Sequence, residues 1–180
     1  LTEMRLIGAC TLLLFAGHET TTNLLANSAL ALMRHPDQAR RLIENPELSH
    51  RAVEELLRFD GPVKVMVRAV REHHERGGEL LRAGQTVYLG VAAAQRDPAA
   101  WNRPDDLVVD RPFDRFRPGL HFGQGAHFCL GAALARLEAR IAVPAALRRF
   151  PSMQPLVDDV RWEPQILTRA MTELPVTVRG

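Results

Sequence analysis

The stretch FGQGAHFCLG, residues 122–131, contains Cys129, one of only two cysteines in the chain. The other is Cys10 in an apolar helical run, so the sequence does not indicate a disulfide framework. A zinc site is not expected either, because there is no CxxC pair and His127 lies only two residues from Cys129. Three kinds of chemistry remain for Cys129: a buried structural thiol, a nucleophile, or a single soft thiolate ligand to a cofactor metal.

The residues around Cys129 favour the thiolate ligand. The following LGAALARLEAR predicts a helix, and a helix N-terminus stabilises a thiolate. Gly123, Gly125 and Gly131 allow a flat, bulky group to approach closely, and they permit positive φ in a tight hairpin. Phe122 is expected to pack beside the sulfur and shield it from water. The competing interpretation is an inert cysteine in a glycine-rich turn, which is the commoner role of an isolated cysteine.

FGQGAHFCLG resembles the haem-binding signature FGxGxHxCxG of the bacterial cytochrome P450 family at every specified position. The resemblance implies a haem b cofactor (iron protoporphyrin IX) with Cys129 as the axial ligand of the iron, a ligand whose electron donation favours O–O cleavage. It further implies that His127 contacts a haem propionate. Phe122, Gly123 and Gly131 are then cofactor-binding residues.

AGHETT places Glu19 and Thr20 in the middle of a long predicted helix. By itself, a helical threonine usually bonds back to a carbonyl group and bends the helix slightly. The stretch is similar to the family's oxygen-activation motif [AG]Gx[DE]T. This implies that Gly17 leaves room over the iron, that Thr20 hydrogen-bonds dioxygen and that Glu19 relays protons.

EELLR places Glu55 and Arg58 three residues apart on one predicted helix, a spacing that alone indicates only a surface pair. It is similar to the family's ExxR motif, which implies a buried network with an arginine from the segment before the cysteine loop. We expect Arg111 to be that third member, and Arg115 remains an alternative. In PVKVMVRAV, the resemblance implies that Arg68 pairs with a haem propionate through charge-assisted bonds.

The elements that position these residues are mainly helical. The sequence predicts helices at 2–33, with a local distortion at AGHETT, at 37–44, at 49–59 with Ser49 as a possible N-cap, and at 130–150 with a kink at Pro144. Strands are predicted at 63–70, 86–90 and 174–178. His73, His74 and His121 have no partner pattern and are expected to be exposed.

The fold class that follows is mainly α with a minor β-sheet. By resemblance it is the C-terminal half of the cytochrome P450 fold: a long oxygen-binding helix, the ExxR helix, a meander, the cysteine loop and the helix after it. Residues 1–180 are expected to form a single haem-thiolate domain that lacks the N-terminal half of the family fold. A first residue that is Leu1 and already lies in a helical pattern supports this expectation.

Composition narrows the class of partner. A formal net charge of +2 is too small to indicate nucleic-acid binding. The longest apolar stretch, residues 6–16, is well short of the roughly 20 residues that span a membrane. No signal peptide is visible, and the scarcity of cysteines suggests a reducing, cytoplasmic location.

The resemblance implies a soluble bacterial monooxygenase that inserts one atom of dioxygen into a small organic substrate. Electrons would come from NAD(P)H through a ferredoxin-type donor and its reductase, and four arginines near the cysteine loop could help that donor to dock: Arg115, Arg117, Arg136 and Arg140. Two alternatives remain. One is a haem-thiolate peroxygenase or isomerase, against which Glu19 and Thr20 argue. The other is a truncated, non-catalytic haem-binding fragment; residues 1–180 alone are expected to be inactive.

Overall fold

The computed structural model describes residues 1–113 and 119–178. The helices in these ranges are α1 (Glu3–Arg34), α2 (Pro36–Glu44), α3 (Ser49–Asp60), α4 (Val91–Ala94) and α5 (Ala132–Arg149). The strands are β1 (Val65–Ala69), β2 (His74–Arg76), β3 (Glu79–Leu81), β4 (Thr86–Gly90), β5 (Gln154–Pro155) and β6 (Val176–Thr177). Short 3-10 turns precede α3 and flank the first half of the cysteine loop, at Pro46–Leu48, Leu120–Phe122 and Gly125–His127.

The core lies where α1, α3 and α5 meet. One buried cluster joins the second half of α1 to α2, α3 and the end of α5, and Leu32 and Val109 in it are fully shielded from solvent. A second cluster joins α1, α3 and the start of α5 through Leu24, Leu57 and Phe122. Because Phe122 begins the cysteine loop, that loop is anchored directly to the helical core.

The strands form three separate two-stranded antiparallel sheets: β1 with β4, β2 with β3, and β5 with β6. In the first, Met66 lies opposite Leu89 and Arg68 opposite Val87. This sheet carries Met66 to the side of the cysteine loop, so it contributes to the site described below.

The N-terminal half of α1 contacts little else in the structure. Residues 3–18 are exposed along the whole circumference of the helix. Their large apolar side chains are 52–78% exposed, namely Met4, Leu6, Ile7, Leu12, Leu13, Leu14 and Phe15. An apolar surface of this extent is typical of a face that another polypeptide surface covers.

The predicted elements are confirmed, with some corrections. The α1 helix is uninterrupted through AGHETT, so the predicted distortion does not break it, and α5 continues through Pro144 to Arg149. Ser49 is not an N-cap, because it already has helical backbone angles (φ −51°, ψ −35°) at the end of a 3-10 turn. In the described ranges no helix is both long and apolar enough to cross a membrane.

Candidate haem-thiolate site

The loop from Phe122 to Cys129 closes as a compact hairpin before α5. The Cys129 N–H donates to the Phe122 carbonyl (2.9 Å), and the Phe128 N–H donates to the Gly125 carbonyl (3.0 Å). Gly123 and Gly125 have φ of 73° and 79°, the left-handed region that favours glycine. The hairpin therefore requires glycine at these two positions.

The thiol of Cys129 is exposed, and it lies just before the N-terminus of α5. Gly131 has φ −83°, a backbone conformation that any residue can adopt. A Cβ at Gly131 would lie 3.9 Å from the Cys129 Sγ. Phe122 is buried and packs against Phe128 (ring centroids 6.4 Å apart). The sequence predicted that Phe122 shields the thiol from water; this was wrong, because Cys129 is exposed.

Strand β1 borders the cysteine loop. The Met66 methyl group lies 3.6 Å from the position that a Cβ on Gly123 would occupy. Arg68 is two residues further along the strand and so on the same face as Met66. It is exposed, and its Nη1 donates to the Val67 carbonyl (2.8 Å). His127 is exposed on the loop itself, so the two residues predicted to bind propionates are both open to a ligand.

Glu19 and Thr20 lie where α1 passes from its exposed half to its buried half. Both are half-buried, and the Thr20 Oγ1 donates to the Ala16 carbonyl (2.8 Å). Glu19 Oε1 is 3.5 Å from the Thr168 hydroxyl. Leu24 is one helical turn beyond Thr20 and shares a core cluster with Phe122, so the register of α1 turns this part of the helix toward the cysteine loop.

The structure brings Glu55, Arg58 and Arg111 together. Glu55 accepts two hydrogen bonds from Arg58 (2.7 and 2.9 Å) and one from the Arg111 Nε (2.8 Å), and all three side chains are buried. The remaining donors of both arginines reach backbone carbonyls of the segment before the loop, at Asn102, Arg103, Pro104 and Asp106, and at Gln95. Arg115, the predicted alternative, lies outside the described residues.

The sequence did not reveal a second, partly buried network. His121, predicted to be exposed, is only 6% exposed, and its Nε2 lies 3.2 Å from Glu54 Oε2. Arg136 donates to the same carboxylate (Nε to Oε1, 2.5 Å). Gly119 leaves room for this ring, because a Cβ there would lie 2.1 Å from it, but no local sequence pattern signals the network. His73 and His74 are exposed, as predicted.

The charge of Glu54 is set by this network. Burial alone would raise the pKa of its carboxyl group, but hydrogen bonds from His121 and Arg136, together with the positive charge of Arg136, lower the pKa from 4.5 to about 2. At neutral pH the group is therefore ionised. An ionised carboxylate with 13% side-chain exposure requires its partners, so the three side chains act as one unit.

The residues on this face fit a haem group. Cys129 offers one exposed soft donor, and Arg68 and His127 offer donors for carboxylates. A Cβ on Gly17 or Gly125 would meet no atom within 4 Å, so neither the helix nor the loop obstructs a flat ligand at these points. Within residues 1–113 and 119–178, no three His, Cys, Asp or Glu side chains cluster closely enough to hold a metal ion by themselves.

Comparison with known proteins agrees with this arrangement. The sequence model of the cytochrome P450 family matches residues 1–174. The chain is 45% identical to the biotin biosynthesis cytochrome P450 of Bacillus subtilis, with 98% of this chain and 44% of that protein covered. It is 42% identical to the vitamin D(3) 25-hydroxylase of Pseudonocardia autotrophica, with 99% and 44% covered.

A solved structure shares the fold. The tirandamycin C-bound P450 monooxygenase TamI superposes with a TM-score of 0.93 at 41% identity, covering 99% of this chain and 45% of TamI. The chain thus spans less than half the length of the relatives that it matches. Fold, family match and sequence identity lead to one conclusion: this chain belongs to the cytochrome P450 family.

Proposed function

We propose that this chain provides the haem-thiolate centre of a monooxygenase and that Cys129 is the axial ligand of the iron. The observation that carries the proposal is the exposed Cys129 thiol, set between a glycine hairpin and the N-terminus of α5. The thiolate is the form of cysteine that binds metal. The family membership of the chain supports the same assignment.

When bound, haem b supplies the activation of dioxygen: one oxygen atom enters the substrate, and the other leaves as water with two electrons and two protons. The chain's own residues hold this group. Cys129 binds the iron, Gly123 and Gly131 let the loop approach the macrocycle, and Phe122 supports the loop from the core. Arg68 and His127 bind the propionates through charge-assisted hydrogen bonds.

Glu19 and Thr20 deliver protons in this proposal. The Thr20 hydroxyl donates a hydrogen bond to the Ala16 carbonyl. Threonine in a helix has two accessible χ1 rotamers. Rotation about χ1 would release the hydroxyl from this carbonyl, so that Thr20 could hold a proton for dioxygen bound at the site. Glu19 is half-buried, so water can bring protons to its carboxylate, which passes them on to Thr20 Oγ1.

Partners and substrate follow from the same proposal. Electrons come from NAD(P)H through a ferredoxin-type donor and its reductase, and the reaction takes place in the cytoplasm. Of the arginines considered for docking, Arg136 is held by Glu54, so Arg140 is the better candidate on α5. Arg115 and Arg117 lie outside the described residues. The substrate is a small organic molecule; the names of the relatives span unlike substrates and do not narrow its class.

Reduction of the haem-loaded protein under carbon monoxide tests the proposal. We expect the red-shifted Soret band of thiolate-ligated haem in the unaltered protein and in Cys10→Ala, the matched control at the only other cysteine. Cys129→Ala should lose that band. Retention of the band in Cys129→Ala would contradict the assignment of the ligand.

A further inference from the structure

Two side chains, Arg136 and His121, pack against the Phe122 ring, and both bond to the Glu54 carboxylate. The Arg136 Cζ lies 4.3 Å from the ring centroid, and the His121 ring meets Phe122 edge-on at 5.0 Å and 77°. Both Arg136 and His121 bond to Glu54 on α3. The position of the Phe122 ring is therefore fixed by a network that begins on a different helix from the cysteine loop.

The orientation of His121 in this network is determined by Gln95. The Leu120 N–H donates to Gln95 Oε1 (3.3 Å), so the other end of that amide, Nε2, faces His121 Nδ1 at 3.0 Å. An amide nitrogen donates, so Nδ1 accepts and the ring proton resides on Nε2. His121 consequently donates to Glu54. Each polar atom of the histidine ring has a defined partner.

The network leads directly to the candidate iron ligand. Phe122 accepts the Cys129 N–H through its own carbonyl (2.9 Å), so a displacement of Phe122 shifts a backbone group of the ligating residue. Groups that orient a metal ligand control its donor strength and are nearly as important as the ligand itself. In haem proteins, hydrogen bonding and packing around the axial ligand set the reduction potential.

We propose that Glu54, acting through His121 and Arg136, is a positioning residue that sets the electron donation of the Cys129 thiolate by holding Phe122. This inference rests on the proposed function, because it takes Cys129 as the iron ligand. Glu54 bonds to His121 and Arg136, so its effect on Cys129 is indirect. It acts by keeping the Arg136 guanidinium and the His121 ring against the Phe122 ring.

The test measures the reduction potential of the haem-loaded protein together with its carbon monoxide spectrum. Glu54→Gln removes the carboxylate, and Arg136→Lys keeps a positive charge near Glu54 but loses the planar group over the Phe122 ring. Glu138→Gln is the control, because Glu138 is an exposed acid on the same helix, α5. The reduction potential depends on electron donation by the thiolate. If Glu54 only stabilised the fold, variants that keep the thiolate band would keep the same potential.

We expect Glu54→Gln to change the reduced-to-oxidised ratio at a fixed potential by about tenfold, which corresponds to about 59 mV for a one-electron couple. Arg136→Lys should shift it in the same direction by less, and Glu138→Gln should not shift it. If Glu54→Gln does not retain haem, the Arg136→Lys shift decides. An unchanged potential in the variants that keep the thiolate band would overturn this inference alone. A missing thiolate band in the unaltered protein would contradict the proposed function itself.

Discussion

The Glu55 carboxylate and the Arg58 guanidinium are joined by two parallel hydrogen bonds of 2.7 and 2.9 Å, and neither side chain reaches solvent. Arg58 also donates to backbone carbonyls of Gln95, Pro104 and Asp106. The pair thus fastens α3 to the segment that leads into the cysteine loop. Both partners are needed, because removal of either one leaves a buried charge without compensation and destabilises the fold.

Loss of this pair should be severe. We expect Arg58→Gln to lower the free energy of unfolding by about 3–5 kcal/mol, a large share of a total of roughly 5–15 kcal/mol. Arg41→Gln is the matched control: it breaks an exposed pair with Asp110 and should cost less than about 1 kcal/mol. Urea unfolding of both variants measures the difference. Equal losses in the two variants would show that the Arg58 pair acts as an ordinary surface pair.

Thr20 should affect coupling rather than folding. Thr20→Ala removes the hydroxyl group that we propose to hold a proton for the reacting oxygen, so electrons should escape to peroxide or water. In a full-length protein that contains this chain, we expect product formed per NAD(P)H consumed to fall about tenfold or more. Thr22→Ala is the control. The Thr22 hydroxyl donates to the His18 carbonyl, four residues earlier, as Thr20 does to Ala16, but Thr22 is exposed. An unchanged product ratio in Thr20→Ala would count against its role.

The lowered pKa of Glu54 should make the free energy of unfolding fall at acidic pH. Its folded pKa of about 2 lies below the ordinary value of 4.5, so its ionised form favours the folded state. That contribution is complete above pH 4.5 and is lost as the pH falls toward 2. Glu54→Gln should lack this part of the pH dependence, with a slope reduced by at most about 1.4 kcal/mol per pH unit. Unfolding free energies between these pH values measure it, with the exposed Glu47→Gln as control. A parallel pH profile in Glu54→Gln would exclude the shifted pKa.

Sequence patterns predicted the elements because their signals are local. The β-branched run around Val65 and the TVYLG stretch predicted β1 and β4, and the apolar pattern of α5 predicted a helix on both sides of Pro144. His121 was assigned wrongly because its partners are distant in the chain. Glu54 is 67 residues away and Gln95 is 26, and no local pattern encodes such contacts.

The exposed half of α1 should control the behaviour of residues 1–180 expressed alone. We expect this chain to self-associate and to show no coupled substrate oxidation, because its apolar side chains face water. The double substitution Leu14→Lys and Phe15→Lys should restore a monomer without lowering the melting temperature, since these side chains are 74% and 67% exposed.

Light scattering after size-exclusion chromatography distinguishes these states. Leu24→Lys, at a position that is 2% exposed, is the opposite control and should unfold the chain. A soluble monomer of the unaltered chain with stable thiolate haem and coupled oxidation would contradict the prediction.

X-ray absorption at the iron edge tests the central claim most directly, because it counts the sulfur atoms bonded to the metal. The haem-loaded protein and Cys10→Ala should each show one sulfur neighbour in addition to the porphyrin nitrogens. Cys129→Ala should show none. A sulfur neighbour that persists in Cys129→Ala, or is missing from the unaltered protein, would contradict ligation of the iron by Cys129.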